Sequence, residues 1–320
     1  MTVDRAARTY IAGHRGLVGS ALWRHLAGAG FTDLVGRGSA ELDLRDRAPV
    51  LAFFEAVRPR TVVLAAARVG GIMANATAPV EFLSDNLRIQ VNVLDAALAT
   101  GVERLLLLGS SCIYPKFAAQ PIQEDALLTG PLEPTNDAYA IAKIAGVLHV
   151  QAARRQYGVR WVSVMPTNLY GPGDSFDPER SHVLPGLLRR FALAAEAGDE
   201  EVVVWGTGTP RREFLHVDDL ARACLRVLDG YDHPAPLNIG TGTDVSIREL
   251  AELIARVVGF RGRITFDPTR PDGTPRKLLD VARLGSLGFT PAIGLEDGIR
   301  STYEWWRASS TGTVPAGASR

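Results

Sequence analysis

At 320 residues, 46% hydrophobic and 22% charged, the chain has ordinary globular composition and enough apolar material for a large core, in one large or two coupled domains. Lysine plus arginine and aspartate plus glutamate both total 35, a balance that points to neither nucleic acid nor an anionic membrane as partner. No apolar run approaches the ~20 residues of a membrane span, the start MTVDRAARTY lacks a signal pattern, and Cys112 and Cys224 are too few for a disulfide framework or a structural zinc site, so the expectation is a cytoplasmic protein without a metal.

The first predicted strand is TYIA, 9–12, and it runs straight into GHRGLVG. Gly13, Gly16 and Gly19 there permit a tight turn and close approach of a pyrophosphate to the start of a helix over roughly 17–29, whose amide dipoles favour an anion. His14, Arg15, Leu17 and Val18 lie within the same turn. A glycine triplet alone is weak evidence; after the first strand of an alternating pattern it reads as dinucleotide binding. The second strand, 33–35, leads into LVGRG, with Arg37 and no acid to grip the ribose hydroxyls of NAD. Arg15 and Arg37 without a carboxylate favour a 2′-phosphate, hence NADP(H), with Asp43 and Leu44 near the adenine. The alternative for Arg37 is a solvated surface residue.

A helix over 47–57, a strand at 61–66, a long amphipathic helix over 79–100 and a strand at 104–109 follow. That last strand empties into GSSCIYPKF, delivering Leu108, Gly109, Ser110, Ser111 and Cys112 to its carboxyl end. The next helix, 137–157, opens with DAYAIAK, in which Tyr139 and Lys143 stand at i and i+4 on one face. An ammonium beside a phenol is expected to lower its pKa toward neutrality and suit it to pass a proton to a carbonyl oxygen, with Ser110 bonding the same oxygen. A strand at 160–166 completes the first half. Apolar strands separated by helices predict an α/β fold, a doubly wound parallel Rossmann-type sheet.

After Leu169 the texture changes to YGPGD, GTGTP and NIGTGT with helices over roughly 183–197, 217–228, 247–258 and 295–306. The division is a Rossmann domain over 1–169 and a smaller α/β substrate lobe over 170–307, with some segments returning to the main sheet. The small polar residues 308–320 read as a disordered tail. Cys224, in ARACLRVL, reads as core. Only three of the 35 cations are lysine, Lys116, Lys143 and Lys277. Where a compact ammonium persists in an arginine-rich chain its chemistry is of interest, with chance the alternative for Lys116 and Lys277.

The glycine turn, Ser110 and Tyr139-x-x-x-Lys143 resemble the extended short-chain dehydrogenase/reductase family that acts on nucleotide sugars. AGHRGLVGSAL, AAARVGGIMAN, LGSSCIYPK, EPTNDAYAIAKIAG, VMPTNLYGP, SHVLPGLLRRF, VVVWGTGTPRREFLHVDDLA and PDGTPRKLLDV narrow the resemblance to the GDP-L-fucose synthase family, nearly end to end. It implies 3,5-epimerisation of GDP-4-keto-6-deoxy-D-mannose and then NADPH-dependent 4-reduction in one pocket. It implies Cys112 as epimerisation base and His182, which also meets the cofactor, as acid on the opposite face. Pro166, Thr167, Asn168 and Leu169 line the nicotinamide side, and Arg190, Trp205, Arg212 and Asp272 hold the GDP-sugar. Some members carry a basic residue two positions beyond Arg37, where this chain has Ser39, so the NADP reading rests on Arg15 and Arg37. The family's pairing of two long helices across a two-fold axis implies a homodimer through a four-helix bundle, with Leu83, Leu87, Val91 and Leu94 on the dimer face. A redox-neutral nucleotide-sugar 4-epimerase or dehydratase is the competing enzyme; Ser111-Cys112 stands where a dehydratase usually has an acidic pair. A cofactor-sensing protein without turnover is the non-enzymatic alternative, and it typically lacks the tyrosine or lysine kept here.

Overall fold

The structure is a computed structural model, and it describes residues 2–178, 181–270 and 272–310. Four β-α units and a fifth strand build the first half: β1 (Thr9–Ala12), α1 (Leu17–Gly28), β2 (Leu34–Val35), α2 (Arg47–Val57), β3 (Thr61–Leu64), α3 (Ile72–Thr77), α4 (Pro79–Thr100), β4 (Arg104–Leu108), α5 (Asp137–Tyr157) and β5 (Arg160–Pro166). The second half contributes β6 (Asn168–Tyr170), α6 (Val183–Ala197), β7 (Glu201–Trp205), β8 (Arg211–Arg212), β9 (Phe214–His216), α7 (Val217–Gly230), β10 (Leu237–Ile239), β11 (Val245–Ser246), α8 (Ile247–Val258), β12 (Arg263–Asp267), β13 (Arg276–Lys277), α9 (Ala282–Ser286) and α10 (Leu295–Ser310). Helix α10 thus continues past Arg307 into the segment read as a tail, and 311–320 lie outside the described residues.

The main sheet has the order β10-β5-β4-β3-β1-β2, and every pair in it is parallel. Strands β1, β3 and β4 are buried along their whole length, which is why they read as continuous apolar runs rather than alternations. One apolar layer, with Phe54, Leu94, Leu105 and Trp161, joins the sheet to α2, α4 and α5. The other, with Leu22, Leu106, Leu220 and Val227, joins it to α1 and α7. The chain order reverses between β1 and β3, and the carboxyl ends of the strands around that point form the crevice in which such sheets take a ligand. Strand β10 is the segment that returns to the main sheet from the second half.

Long side-chain bridges tie the layers to one another. Gln90 on α4 donates its Nε2–H to the Ala142 carbonyl on α5 at 2.8 Å, an approach that the missing Cβ of Gly146 makes room for. Buried Arg104, at the start of β4, donates to the carbonyls of Val227 at 2.7 Å and Leu228 at 3.1 Å, placing a cation on the carboxyl end of α7. The outer lobe has its own core, in which Phe191, Val202, Val204, Leu250, Ile254 and Ile299 meet. Ser246 and Glu249 start α8 with a reciprocal capping box.

Candidate active site

The turn between β1 and α1 has the shape a dinucleotide pyrophosphate requires. Gly13 has φ +84, and a Cβ there would lie 2.8 Å from the Ala66 nitrogen. A Cβ on Gly19 would overlap the Gly13 carbonyl. Gly16 caps α1 with no side-chain hydrogen bond, and no acid stands in the first turn, so the leading N–H groups remain for an anion. Leu17 and Val18 pack into the sheet, while the His14 ring lies against Gly36 and Trp23. Burial holds His14 below the ordinary histidine range, and its Nδ1 is buried without a partner. These residues fit NADP(H): the turn would take the pyrophosphate, and the loop after β2 the adenosine end.

That loop departs from the sequence expectation in one respect. A carboxylate is present after all: Glu41 accepts the Gly38 N–H at 2.6 Å and stands 3.5 Å from the Arg15 guanidinium. LVGRG contains no acid, but the chain folds back to bring one from further along. Arg37 donates to the Gly36 carbonyl at 2.8 Å and lies 5.6 Å over the Phe53 ring. Asp43 is ion-paired with Arg45 at 2.6 Å, and the Leu44 carbonyl accepts from Asn92 at 3.0 Å.

At the carboxyl end of β4 the groups for proton transfer converge. Gly109 follows the strand with its N–H on the Val164 carbonyl at 2.8 Å, where any side chain would collide with Met165. Ser110 then caps a single 3-10 turn, Ser111–Ile113, its Oγ accepting the Cys112 N–H at 3.3 Å. The turn aims the Ser110 hydroxyl toward both the Tyr139 phenol and the Cys112 thiol. Burial raises the pKa of each, and the serine offsets part of that rise. The expected lowering of the phenol by Lys143 is not present. Lys143 donates its Nζ–H to the Leu108 carbonyl at 2.8 Å and lies 5.7 Å from the centre of the Tyr139 ring. Desolvation dominates at both: the phenol is pushed up, and the ammonium is pulled down to about 8. Tyr139 is therefore a protonated donor at neutral pH.

The carboxyl end of β5 forms the adjoining wall. Thr167 donates its N–H to the Ile239 carbonyl at 2.9 Å, and its Oγ1 and the Asn168 amide both donate to the Glu213 carbonyl, at 3.1 and 2.8 Å. The Glu213 carboxylate is itself a hub, accepting the N–H groups of Thr241 at 2.6 Å, Gly242 at 2.7 Å and Leu279 at 3.0 Å. His182 caps the start of α6 in extended conformation with its side chain open to solvent; the protein around it lowers its pKa.

On the outer lobe, Arg190 donates to the Val203 carbonyl at 2.7 Å and lies 5.8 Å over Trp205, whose other neighbour is Arg270 at 5.0 Å. Trp205 is 54% exposed, a large apolar face left open between two guanidiniums. A cavity of about 430 Å³ adjoins it, lined in part by Phe176, Ser181, Arg190 and Val203. Asp272 is engaged in holding the loop before β8, accepting from Thr207 N at 2.7 Å and Thr207 Oγ1 at 2.8 Å. Half-buried Arg212 feels the charges of Glu133 and Asp272.

One acid and two lysines complete the picture. Lys116 pairs with Glu133 at 3.0 Å, and Thr274 donates to the same carboxylate at 3.3 Å. Lys277, on β13, pairs in register with Arg212 of β8. Its main chain is clamped from both sides by Gln120, which donates to the Arg276 carbonyl at 3.2 Å and accepts the Leu278 N–H at 2.9 Å. All three lysines of the chain therefore border the site. Their scarcity drew attention to them, Tyr139-x-x-x-Lys143 marked one by its spacing, and Lys116 and Lys277 lie in segments that carry the family resemblance, but nothing in the sequence marked a geometry for Lys277.

The model of the NAD dependent epimerase/dehydratase family matches residues 9–240. A GDP-L-fucose synthase of Arabidopsis thaliana is 59% identical over 303 residues, covering 95% of this chain and 94% of the relative. The GDP-L-fucose synthase of Escherichia coli K12 is 54% identical over 308 residues, 93% of this chain and 96% of the relative. Among solved structures, a GDP-L-fucose synthetase from Naegleria fowleri bound to NADP superposes with a TM-score of 0.89 at 31% identity, covering 98% of this chain and 97% of that one. With a parallel Rossmann-type sheet, a glycine turn at its switch point and this likeness along nearly its whole length, the chain belongs to the NAD dependent epimerase/dehydratase family.

Proposed function

We propose that the chain converts GDP-4-keto-6-deoxy-D-mannose to GDP-L-fucose, by epimerisation at carbons 3 and 5 and NADPH-dependent reduction at carbon 4. The observation that carries the reading is the meeting of Ser110, Cys112, Tyr139 and Lys143 where β4 ends. Carbons 3 and 5 both flank the carbon-4 ketone, so removing either proton leaves an enolate with its charge on one oxygen. Ser110 and Tyr139 bond that oxygen. Cys112 takes the proton on one face and His182 returns one on the other, which inverts the centre. Once both centres are inverted, bound NADPH supplies hydride to carbon 4. Tyr139 gives its proton to the oxygen, and Lys143 steadies the phenolate left behind.

Pro166, Thr167, Asn168 and Leu169 border the nicotinamide. Arg190 and Arg212 meet the diphosphate, and Trp205 offers its open face to an apolar part of the GDP-sugar. Asp272 serves this pocket through the Thr207 loop as well as by any direct contact with hydroxyls. We further propose a cytoplasmic homodimer joined through α4 and α5. Exposed Val80 and Val91 on α4 and Ile141 and Leu148 on α5 support such a face; Leu94, assigned to it from sequence, is fully buried in the chain's own core.

Incubation with GDP-4-keto-6-deoxy-D-mannose and NADPH, with the product identified by NMR, tests the reading. One NADPH consumed per GDP-L-fucose formed is expected. A product formed without net NADPH oxidation would favour a redox-neutral epimerase or dehydratase.

A further inference from the structure

We propose that Glu41 is a resident anion on the subsite for the cofactor's 2′-phosphate and sets the chain's discrimination between NADP(H) and NAD(H), an inference that rests on NADPH being the reductant. The two dinucleotides differ only in the phosphate on the adenosine ribose, so telling them apart belongs to the loop that receives that end. Two donors from different parts of the chain converge there on one point: the Arg15 guanidinium from the glycine turn and the Gly38 N–H from the loop after β2. The Glu41 Oε2 holds that point, 2.6 Å from the Gly38 nitrogen and 3.5 Å from Arg15. A guanidinium and a main-chain N–H meeting on one oxygen are the donors that a phosphate oxygen takes. Gly38 is buried beneath both side chains, and a Cβ on it would lie 2.7 Å from the Arg15 Nη1 and 3.1 Å from the Glu41 Oε2.

The carboxylate is mounted by its own turn. The Gly38 carbonyl accepts the N–H groups of Glu41 and Leu42, each at 2.9 Å, and Leu42 is buried in the apolar layer between the sheet and α2. The Gly38 N–H keeps the Glu41 carboxyl below the ordinary carboxylate range, so it is charged at neutral pH. The other nearby cations are engaged elsewhere. Arg37 donates to the Gly36 carbonyl at 2.8 Å, Arg45 pairs with Asp43 at 2.6 Å and Asp85 at 3.6 Å, and burial keeps His14 neutral. Gly38, Ser39 and Ala40 supply no further charge. One guanidinium therefore faces two anions when NADP(H) binds. The 2′-phosphate must displace the Glu41 carboxylate, whereas the free 2′-hydroxyl of NAD(H) can donate to it. Both Arg15 and Glu41 are about half exposed, so the exchange takes place in water and shifts affinity several-fold rather than abolishing it.

The test compares the full-length protein with Glu41→Gln, Glu41→Ala and Arg15→Gln. NADPH and NADH are titrated by nicotinamide fluorescence, and 2′,5′-ADP and 5′-AMP by calorimetry to isolate the adenosine end. Glutamine keeps an oxygen for the Gly38 N–H and removes only the charge. Glu41→Gln should bind NADPH and 2′,5′-ADP about threefold to fivefold more tightly and NADH more weakly, moving the ratio of the two affinities about tenfold. The gain should shrink as salt is raised. Arg15→Gln should weaken NADPH and 2′,5′-ADP about tenfold or more and leave 5′-AMP unmoved. An unchanged NADPH-to-NADH ratio in Glu41→Gln overturns the proposal. Weaker NADPH binding in that variant overturns it too, since Glu41 would then be a brace that orients Arg15. Losses confined to Glu41→Ala and equal for both dinucleotides would reduce Glu41 to a turn cap, and unmoved NADPH affinity in Arg15→Gln would put the phosphate elsewhere; either result overturns it. A wild type that binds neither dinucleotide would instead sink the cofactor assignment, so the two failures are distinct.

Discussion

Replacing Glu213 by glutamine tests how the outer lobe is fastened to the main sheet. The carboxylate accepts two N–H groups at Oε1, from Thr241 and Gly242, and one at Oε2, from Leu279. An amide has one acceptor oxygen. If that oxygen keeps Thr241 and Gly242, the new NH₂ faces the Leu279 N–H, donor against donor, and a buried N–H is left unpaired. One lost charge-assisted bond and one unpaired donor together cost about 3 kcal/mol. Part of that is returned, because burial already penalises the charge and raises the Glu213 pKa, so the net loss is about 2 kcal/mol. With an unfolding entropy of about 2.1 cal/mol/K per residue, a chain of this size should melt about 3 °C lower. The break lies just after β13, whose partner strand β8 carries Arg212 of the GDP-sugar site, so epimerisation should suffer more than NADPH binding. Urea unfolding monitored by far-ultraviolet circular dichroism, with NADPH affinity and carbon-3 exchange measured alongside, reads all three. A variant as stable as the wild type, with exchange unchanged, would refute the reasoning.

Gly19→Ala, whose methyl would overlap the Gly13 carbonyl, should weaken NADPH binding at least tenfold by fluorescence titration. Lys143 titrates at about 8 and is cationic below that value, so NADPH-dependent reduction should decline as the pH rises above about 8. Lys143→Arg, if it retains turnover, should move that decline to higher pH, as a pH–rate profile would record. Trp205→Ala should raise the KM for the GDP-sugar several-fold with little change in NADPH affinity, measured by steady-state kinetics. Val91→Asp with Ile141→Asp should yield monomers by analytical ultracentrifugation.

The main sheet was legible because its central strands β1, β3 and β4 are buried along their whole length and the helices lay apolar stripes against them. Predicted and observed bounds coincide for β1, α2, α4, α5, β5, α6 and α8. The outer sheets were not legible. Strands β8, β11 and β13 have two residues each, too few to show a period, and form only because distant segments supply their partners. The site divides along the same line. Tyr139 and Lys143 share a helix face, and Ser110 and Cys112 follow one strand, so local spacing reveals them. Lys277 arrives on the two-residue strand β13 and Glu133 from a remote loop, and the Arg15–Glu41 contact arises from the fold of a loop rather than a spacing. Proximity of Lys143 to the phenol was foreseeable, but its hydrogen bond to the Leu108 carbonyl, and the dominance of burial over charge, were not.

The most direct test of the two-step account is solvent deuterium entry into GDP-4-keto-6-deoxy-D-mannose, followed by NMR, in Cys112→Ser and Tyr139→Phe. The account predicts that Cys112→Ser loses exchange at carbons 3 and 5 while still binding NADPH. Tyr139→Phe should keep substantial exchange and lose reduction by about a hundredfold or more. Undiminished exchange without the Cys112 thiol, or undiminished reduction without the Tyr139 hydroxyl, would contradict it.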